Sequence, residues 1–355
     1  EMKLTEETPF FFIYSVWTKN GEYREQVKRL VTDYDNYISL KLAGDDAYLS
    51  EKMVGYPAEL DEVYAENFEE QKKEWFSCVG DGIQECRNTW EHKKWNITDF
   101  PEFELAITID RPELYYDFLQ KDWTRFCHDY WKNNFLEHHT LSQKRVTRIY
   151  IGNQFCHNLF PRKELLFQVL EKALENNLAV TLAFSYIRNH LLEEIDELLQ
   201  ELEVWCQSRE KEAGKDQEEI IVNDWAMPIL LQGKPHLKPV LGVLLNKRRK
   251  DVRLPYKHGI GNHVDSLAEN NLNCGFYQDY LKNTFDIQRF EFESCGYKVT
   301  IPDGHHSLHL PFFQTNTSQY CTLYAVCRYG DRGKQKLPEN CPRYCNKKVF
   351  LYPKH

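Results

Sequence analysis

The sequence predicts an α/β fold: a (β/α)8, TIM-barrel-like domain, complete or distorted, that follows an N-terminal α+β extension. From about residue 100 onward, short and almost continuously apolar segments alternate with segments of helical periodicity. Strands that are apolar on both sides indicate a parallel sheet with both faces covered. Seven such segments, and an eighth candidate after them, come close to the eight strands of a barrel. An open doubly wound sheet is the structural alternative.

The predicted strands are short apolar segments that helical segments separate. They are FELAITI (103–109), VTRIYI (146–151), LAVTLAF (178–184), EIIVND (219–224), PVLGVLL (239–245), RFEFES (289–294), HSLHLPF (306–312) and, as the eighth candidate, KVFLYP (348–353). The sequence DRPE follows the first strand, so we expect Asp110 to cap a helix over residues 113–123. Apolar residues at helical spacing predict further helices over residues 165–174 and 191–202.

Residues 1–99 form the predicted extension, and residues 100–355 form the predicted barrel domain. In the extension we expect a strand in PFFFIYSVW, a helix in YREQVKRLV and an acidic amphipathic helix in AELDEVYAENFEEQKKEWF. Aromatic stripes of this kind usually pack on a neighbouring core. The alternative is a docking module for a protein partner, such as a related catalytic or redox subunit.

Composition limits the classes of protein to which the chain can belong. Hydrophobic residues make up 42% of its 355 residues and the formal net charge is −9, which is typical of a globular protein and unlike a general nucleic-acid binder. The basic segment NKRRKDVR (246–253) is either an anion-binding patch or a solvated loop. The sequence contains neither an apolar run of transmembrane length nor a convincing signal peptide, so we expect no membrane insertion and a cytoplasmic location.

The eleven cysteines favour metal binding over disulfides, because cytosolic thiols stay reduced. Cys321, Cys327, Cys341 and Cys345 form the pattern C-x5-C-x13-C-x3-C. This pattern lacks the paired C-x2-C units of most zinc sites, whereas an iron–sulfur cluster accepts looser spacing. Cys156 closely follows a predicted strand, and barrel active sites lie at the carboxyl ends of strands, so Cys156 can converge with the later thiols. Buried thiols without a metal are the alternative.

Four motifs, taken in order, resemble those of a known family. They are IYIGNQFC (149–156), IIVNDW (220–225), PVLGVLLNKRRKDVR (239–253), and Ser318-Gln319-Tyr320-Cys321 followed by Cys341-x3-Cys345. Together they resemble the collagenase-like U32 peptidase family, and in particular its iron–sulfur members that act in oxygen-independent ubiquinone hydroxylation. The resemblance covers about residues 100–355. Val243 and Val252 depart from it, since the family usually has Arg and Pro there.

This resemblance implies a [4Fe–4S] cluster held by Cys156, Cys321, Cys341 and Cys345. Cys327 is the alternative to Cys321, because the family's gap to the C-x3-C pair is shorter than the 19 residues that follow Cys321. The implied function is O2-independent hydroxylation, or a related redox modification, of a small molecule, a peptide or RNA. The alternatives are a peptidase, for which we see neither an H-E-x-x-H nor a G-x-S-x-G motif, and a non-catalytic cluster-bearing subunit of a heteromeric enzyme.

Polar residues near strand ends are the candidates for contacting a substrate. Asn223 and Asp224 end the fourth predicted strand, and Asp224 is a candidate base unless it caps the next helix. Lys247 and Arg249 are candidates for binding a carboxylate or phosphate, with a solvated surface as the alternative. His309 is an inward-facing catalytic candidate, and a core histidine with satisfied hydrogen bonds is its alternative.

Overall fold

A computed structural model of the chain describes most of the predicted barrel region and parts of the extension. The described residues are 2–7, 12–31, 66–67, 102–134, 136–137, 139–213, 218–248, 269–294, 299–310, 314, 320–331, 334, 336–338 and 340–349. The chain divides into two compact units, a smaller one of residues 1–62 and 253–269 and a larger one of residues 63–252 and 270–355. The predicted boundary at residues 99 and 100 stays a prediction, because both residues lie outside the described ranges.

The smaller unit contains a β-hairpin and a helix. Strand β1 (Met2–Glu7) pairs antiparallel with β2 (Phe12–Val16). Helix α1 covers residues 21–31, and Asn20 caps it by accepting a hydrogen bond from the Tyr23 amide at 3.1 Å. The predicted strand and the first predicted helix of the extension are therefore confirmed.

The larger unit alternates strands with helices. In chain order its elements are β3 (Glu66–Asn67), β4 (Leu105–Ile109), α2 (Pro112–Gln120), α3 (Trp123–Asn133), β5 (Val146–Gly152), α4 (Lys163–Glu175), β6 (Ala179–Ala183), α5 (Leu192–Ala213), β7 (Glu218–Val222), α6 (Met227–Leu230), β8 (Leu237–Leu241), α7 (Gly275–Phe285), β9 (Glu291–Glu293), β10 (Ser307–His309), α8 (Thr322–Tyr329) and β11 (Lys348–Val349). Of the helices that the structure describes, none has the length and apolarity that a membrane crossing requires.

Strands β4 to β8 form a parallel sheet in sequential order. A parallel bridge between Leu241 and Phe290 joins the end of β8 to the start of β9, which pairs in parallel with β10. Seven predicted strands are thus confirmed, and they belong to a mixed α/β unit with a five-stranded parallel sheet flanked by helices. A helix lies between each two successive strands of the five-stranded sheet, as the crossover connections of parallel pairing require.

The eighth candidate strand does not continue this parallel series. Its described part, β11, pairs antiparallel with β3. Lys347 and Lys348 are exposed, so this segment lacks the two buried faces of an interior parallel strand. The same pairing shows that the acidic helix predicted in the extension is wrong at Glu66–Asn67, and the rest of that helix lies outside the described residues.

The two faces of the five-stranded sheet differ in chemistry. One face packs on the helices through alternate side chains, which include Ile149, Ile151, Val180, Leu182, Ile220 and Val222. The other face carries a small apolar cluster of Tyr150, Ala183 and Ile221. Arg148, Thr181 and Glu219 lie on this second face and are joined by hydrogen bonds. Because successive strand residues point to opposite faces, one set of strands builds both an apolar core and a polar interior.

The helix after β4 begins differently from the prediction. Arg111, not Asp110, is its N-cap residue, and the Asp110 carboxylate instead pairs with the Arg111 guanidinium at 3.0 Å. The helix predicted over residues 113–123 is confirmed as α2, which ends at Gln120, and a separate helix, α3, begins at Trp123, where Asp122 caps it through the Arg125 amide at 2.9 Å. The salt bridge removes Asp110 from the capping position, so the prediction from DRPE was wrong about the cap.

We expect Phe118→Ala on α2 to destabilise the larger unit by about 3–5 kcal/mol, because this fully buried ring packs edge-on against Phe126 at 5.3 Å between centroids. Tyr116→Ala is the matched control, since Tyr116 lies on the same helix and is 54% exposed. Equilibrium urea unfolding measures both changes. Equal effects of the two variants would contradict the described packing of α2.

Candidate functional site

Cys156 lies in the loop after β5, at the carboxyl end of the sheet. Gly152 ends β5 with a φ of +111°, a conformation that favours glycine. A Cβ atom there would lie 2.5 Å from the Ala183 carbonyl oxygen and 2.7 Å from the Phe160 ring. Only glycine therefore lets the chain leave the sheet so close to β6 on its way to Cys156.

Asn153 holds the turn that presents Cys156. Its Oδ1 accepts hydrogen bonds from the amides of Phe155 and Cys156 at 2.9 and 3.0 Å. Its Nδ2 donates to the Asp110 carbonyl at 3.3 Å, which ties the loop to the end of β4. Such side-chain turns fix a loop where no sheet or helix bonds are present. The backbone position of Cys156 is thus set by β4 and β5 together.

Cys321 is the N-cap residue of α8. Its Sγ accepts a hydrogen bond from the Tyr324 amide at 3.3 Å. A helix N-terminus stabilises negative charge on a sulfur atom through its free amides and its dipole. Burial nevertheless raises the pKa of Cys321, and the bond from Tyr324 lowers it only in part.

Cys341 and Cys345 lie on a tight turn near the carboxyl end of β4. Arg343, between them, adopts the left-handed conformation with a φ of 55° and precedes a single 3-10 turn over Tyr344–Asn346. The side-chain amide of Asn346 donates a hydrogen bond at 2.5 Å to the carboxylate of Glu113, a residue in the first turn of α2. This bond anchors the C-x3-C turn over the helix that follows β4.

The charges of neighbouring thiols raise the pKa of Cys156 and of Cys345. Burial raises the pKa of Cys156, and the charges of Cys321 and Cys341 raise it further. Burial raises the pKa of Cys345 to about 12, and the charges of Cys156, Cys341 and Cys321 act in the same direction. Since charge–charge effects fall off with distance, these four side chains occupy one neighbourhood.

Cys327 lies further along α8 than Cys321. Burial raises its pKa, and the charge of Lys348 lowers it. The charges of Cys321 and Cys341 act on both Cys156 and Cys345, and the charge of Cys327 acts on Cys321. The choice between Cys321 and Cys327 as the second ligand therefore stays a prediction.

The arrangement of the four thiols is not that of a site for a single metal ion. Across the described ranges, no group of three or more His, Cys, Asp or Glu side chains has the arrangement that holds a metal ion. One zinc ion would require each sulfur at about 2.3 Å from a common centre. The predicted ligand set stays a prediction, and its all-thiol composition is that of an iron–sulfur site.

Asn223 and Asp224 have structural partners. The Asn223 amide group donates to the Phe184 carbonyl at 2.7 Å, and its oxygen accepts from the Leu244 amide at 3.1 Å. Asp224 accepts from the amides of Ala226 and Met227 at 2.9 and 3.0 Å, and its second oxygen accepts from the Ile187 amide. These bonds close the turn before α6, whose N-cap residue is Ala226, and the role of Asp224 as a base stays a prediction.

The predicted anion-binding pair is only half described. Lys247 is exposed, and its ammonium group donates to the Leu244 carbonyl at 2.7 Å. Arg249 lies outside the described residues. Lys247 therefore has a local backbone partner, and its predicted role in binding a carboxylate or phosphate remains a prediction.

His309, at the end of β10, faces the polar interior. Its Nε2 lies 2.6 Å from the Glu291 carboxylate and 3.3 Å from the side-chain nitrogen of Gln154. Its ring meets the Tyr150 ring edge-on, with 5.4 Å between centroids. The prediction that His309 faces inward is confirmed, and its catalytic role stays a prediction.

A buried polar network around His309 was not predicted from the sequence. Tyr150 donates to Glu291 at 3.1 Å and bonds Ser307 at 2.8 Å. Arg289 donates to the Tyr150 hydroxyl at 3.0 Å and also pairs with Glu219. The signal was present in the strands, because charged residues interrupt otherwise apolar segments at alternate positions, as in RFEFES.

The comparisons with known proteins give no match. No protein-family model, curated protein or solved structure matches this chain. The resemblance to the U32 family therefore depends on the four sequence motifs alone.

Glu291 gives the stability of the larger unit a dependence on pH. Burial would raise the pKa of Glu291, but the hydrogen bond and charge of His309, the charge of Arg289 and the bond from Tyr150 lower it below the ordinary 4.5. A carboxylate with a lowered pKa stabilises the fold above its unfolded pKa, and this contribution is lost as the pH falls through the folded value. We therefore expect Glu291→Gln to destabilise the protein most at neutral pH and progressively less below about pH 4.5.

Urea unfolding at several pH values measures this difference between wild type and Glu291→Gln. Glu201→Gln is the control, because the Glu201 side chain is 47% exposed in its pair with Lys163. If the loss in free energy of unfolding caused by Glu291→Gln stays constant from neutral pH to pH 3, this would contradict the ionised, paired state of Glu291.

Proposed function

We propose that the protein is an iron–sulfur protein whose [4Fe–4S] cluster is held by Cys156, Cys321, Cys341 and Cys345. The observation that carries this proposal is that three separate segments, the loop after β5, the start of α8 and the C-x3-C turn, bring these thiols into one neighbourhood. The bond from Asn346 to Glu113 and the turn held by Asn153 fix two of these segments at the carboxyl end of the sheet.

The residues present fit such a cluster better than a single ion. A cluster with several iron atoms takes its thiolates at wider separations than one zinc ion does, and the four proposed ligands are all cysteines. Backbone amides near Cys156 and Cys321 supply partial positive charge beside the sulfur atoms, as hydrogen bonds to cluster sulfurs do.

We further propose that the parallel strands curve into a barrel of the TIM type, open or distorted where the eighth strand would lie. Two bonds across the interior support this proposal. Tyr150 on β5 contacts Glu291 on β9 and Ser307 on β10, so strands distant in the sheet order face each other. In a barrel the carboxyl ends of all strands form one face, which is where Cys156 lies.

The activity that we propose is oxygen-independent hydroxylation, or a related redox modification, of a small molecule, a peptide or RNA, as in the iron–sulfur members of the U32 family. When bound, a cluster with four thiolate ligands supplies electron transfer and not an open Lewis-acid position. The chain's own residues hold the thiolates and shield them, since all four are partly buried. We place the protein in the cytoplasm, and the eight described cysteines, all free, agree with a reducing compartment.

A second candidate function is that of a non-catalytic cluster-bearing subunit, with a catalytic or redox partner docking on the N-terminal extension. The observation that favours it is that candidate substrate-contacting residues already make hydrogen bonds within their own unit. Asn223, Asp224 and Lys247 all bond to backbone groups of their own unit, which leaves them less available to a substrate.

We expect the anaerobically purified chain to contain about four iron and four sulfide per polypeptide and to be brown. Cys345→Ser and Cys156→Ser should each lose most of the iron, because removing one ligand exposes a cluster corner to solvent. Cys327→Ser is the matched control: it lies on the same helix that Cys321 caps, and it should keep its iron. Iron and sulfide analysis, with visible absorption and electron paramagnetic resonance after reduction, measures these contents.

Three outcomes would contradict the proposal. Stoichiometric zinc in colourless anaerobic protein would show that the thiols bind zinc and not a cluster. Loss of iron from Cys327→Ser but not from Cys321→Ser would show that the second ligand is Cys327 and not Cys321. Equal loss from all variants, with unchanged circular dichroism, would mean that the iron is bound adventitiously.

A further inference from the structure

Two histidines of the larger unit pair with buried glutamates at the same distance but at opposite ends of the strands. His236 Nδ1 lies 2.6 Å from Glu203, just before β8 begins. His309 Nε2 lies 2.6 Å from Glu291, at the end of β10. The first pair joins α5 to the amino end of the sheet. The second lies at the carboxyl end, where barrel enzymes carry their chemistry.

The Glu291 carboxylate is fixed on both oxygens. It is fully buried, with His309 on Oε2 and the Tyr150 hydroxyl on Oε1 at 3.1 Å. The Arg289 guanidinium lies 3.9 Å from Oε1 and supplies a positive charge. The network therefore keeps this carboxylate in one orientation and ionised, as an acceptor for the proton on a histidine nitrogen.

These contacts determine which nitrogen of His309 carries the proton. An ionised carboxylate at 2.6 Å requires an N–H donor, so Nε2 is protonated. The side-chain amide of Gln154 is oriented by the Val243 amide, which donates to its oxygen at 3.2 Å. Its nitrogen, which is also a donor, lies 3.3 Å from Nε2 and therefore makes no hydrogen bond to the protonated Nε2. Nδ1 of the neutral ring is then left with a lone pair.

Nδ1 of His309 is positioned to accept a proton. Its side chain is 23% exposed, and among the described residues no hydrogen bond to Nδ1 is present. The Tyr150 ring, edge-on at 5.4 Å, and the Glu291 carboxylate fix the plane of the imidazole. A partly exposed histidine that has one nitrogen on a buried carboxylate and no described partner on the other has the arrangement of a general base.

We infer that His309 is an acid–base group at the carboxyl end of the sheet, positioned by Glu291 and Tyr150, for a ligand that bears a hydroxyl group. The proton of the ligand O–H passes to Nδ1, the electron pair of that bond stays on the oxygen, and the imidazolium is stabilised by the Glu291 carboxylate. The return of the proton regenerates the neutral ring. This inference goes beyond the proposed cluster and does not require it.

Gln154 connects this centre to the loop of Cys156. It contacts His309 and, through its oxygen, the amide of Val243. Two residues further along the chain is Cys156. A ligand seated against His309 would therefore lie next to the loop that presents the first thiol.

The test uses the full-length chain labelled with 15N-histidine. At pH 8, long-range 1H–15N spectra should show His309 as the neutral Nε2–H tautomer and His236 as the Nδ1–H tautomer, so the second pair is an internal control. His309→Asn assigns the signals. In Glu291→Gln the hydrogen-bonded Nε2 proton should lose its downfield shift, while the His236 signals stay unchanged.

A second measurement separates an acid–base group from a structural pair. Diethyl pyrocarbonate acylates an accessible unprotonated imidazole nitrogen, and peptide mass spectrometry follows each histidine. We expect His309 to react in the native protein and to react several-fold more slowly in Glu291→Gln and in Tyr150→Phe, since each loses support for the ring. An Nδ1–H tautomer, an imidazolium at pH 8, or a His309 that reacts only after unfolding would each overturn the inference.

Discussion

The Glu219 carboxylate, held between the guanidinium groups of Arg148 and Arg289, is the interaction on which the polar interior depends. Arg148 lies on β5 and Arg289 lies just before β9, so one carboxylate joins the sheet to the β9–β10 pair. Buried charges are tolerated only when they are paired and hydrogen-bonded, and Thr181 adds a bond to the same oxygen at 2.8 Å. Loss of any partner leaves a desolvated charge, so these strands keep one relative position.

Along the strands, the residues that stabilise the fold are therefore separate from the candidate functional groups. Deep in the interior, charged side chains pair with one another, as Arg148 and Arg289 do with Glu219. Near the carboxyl ends of the strands lie groups that can still bind a ligand or accept a proton. They are the thiols of Cys156 and Cys345, and Nδ1 of His309. The same end of the sheet thus offers a candidate site for electron transfer and a candidate site for proton transfer, held by independent contacts.

Apolar strands were predictable because their burial on both faces leaves a local pattern in the sequence. Capping and pairing were less predictable, because they depend on competition between partners: Asp110 binds Arg111 instead of capping α2, and β11 pairs with β3 instead of extending the parallel series. The proximity of Cys156 and Cys321 followed from strand order and a family resemblance. The Tyr150–Glu291 contact could not be read from the sequence, since it joins strands that are far apart in the chain.

The thiols of Cys156, Cys321 and Cys345 come from segments that only the folded chain brings together. A ligand that binds all of them binds the native state and has no comparable site in the unfolded chain, so its binding free energy adds to the free energy of unfolding. It would also restrict the separation of the Asn153 loop from the Asn346 turn, which hydrogen bonds attach to β4 and to α2. The occupant of this site would then act as a non-covalent cross-link, and its loss would expose the larger unit to unfolding and proteolysis.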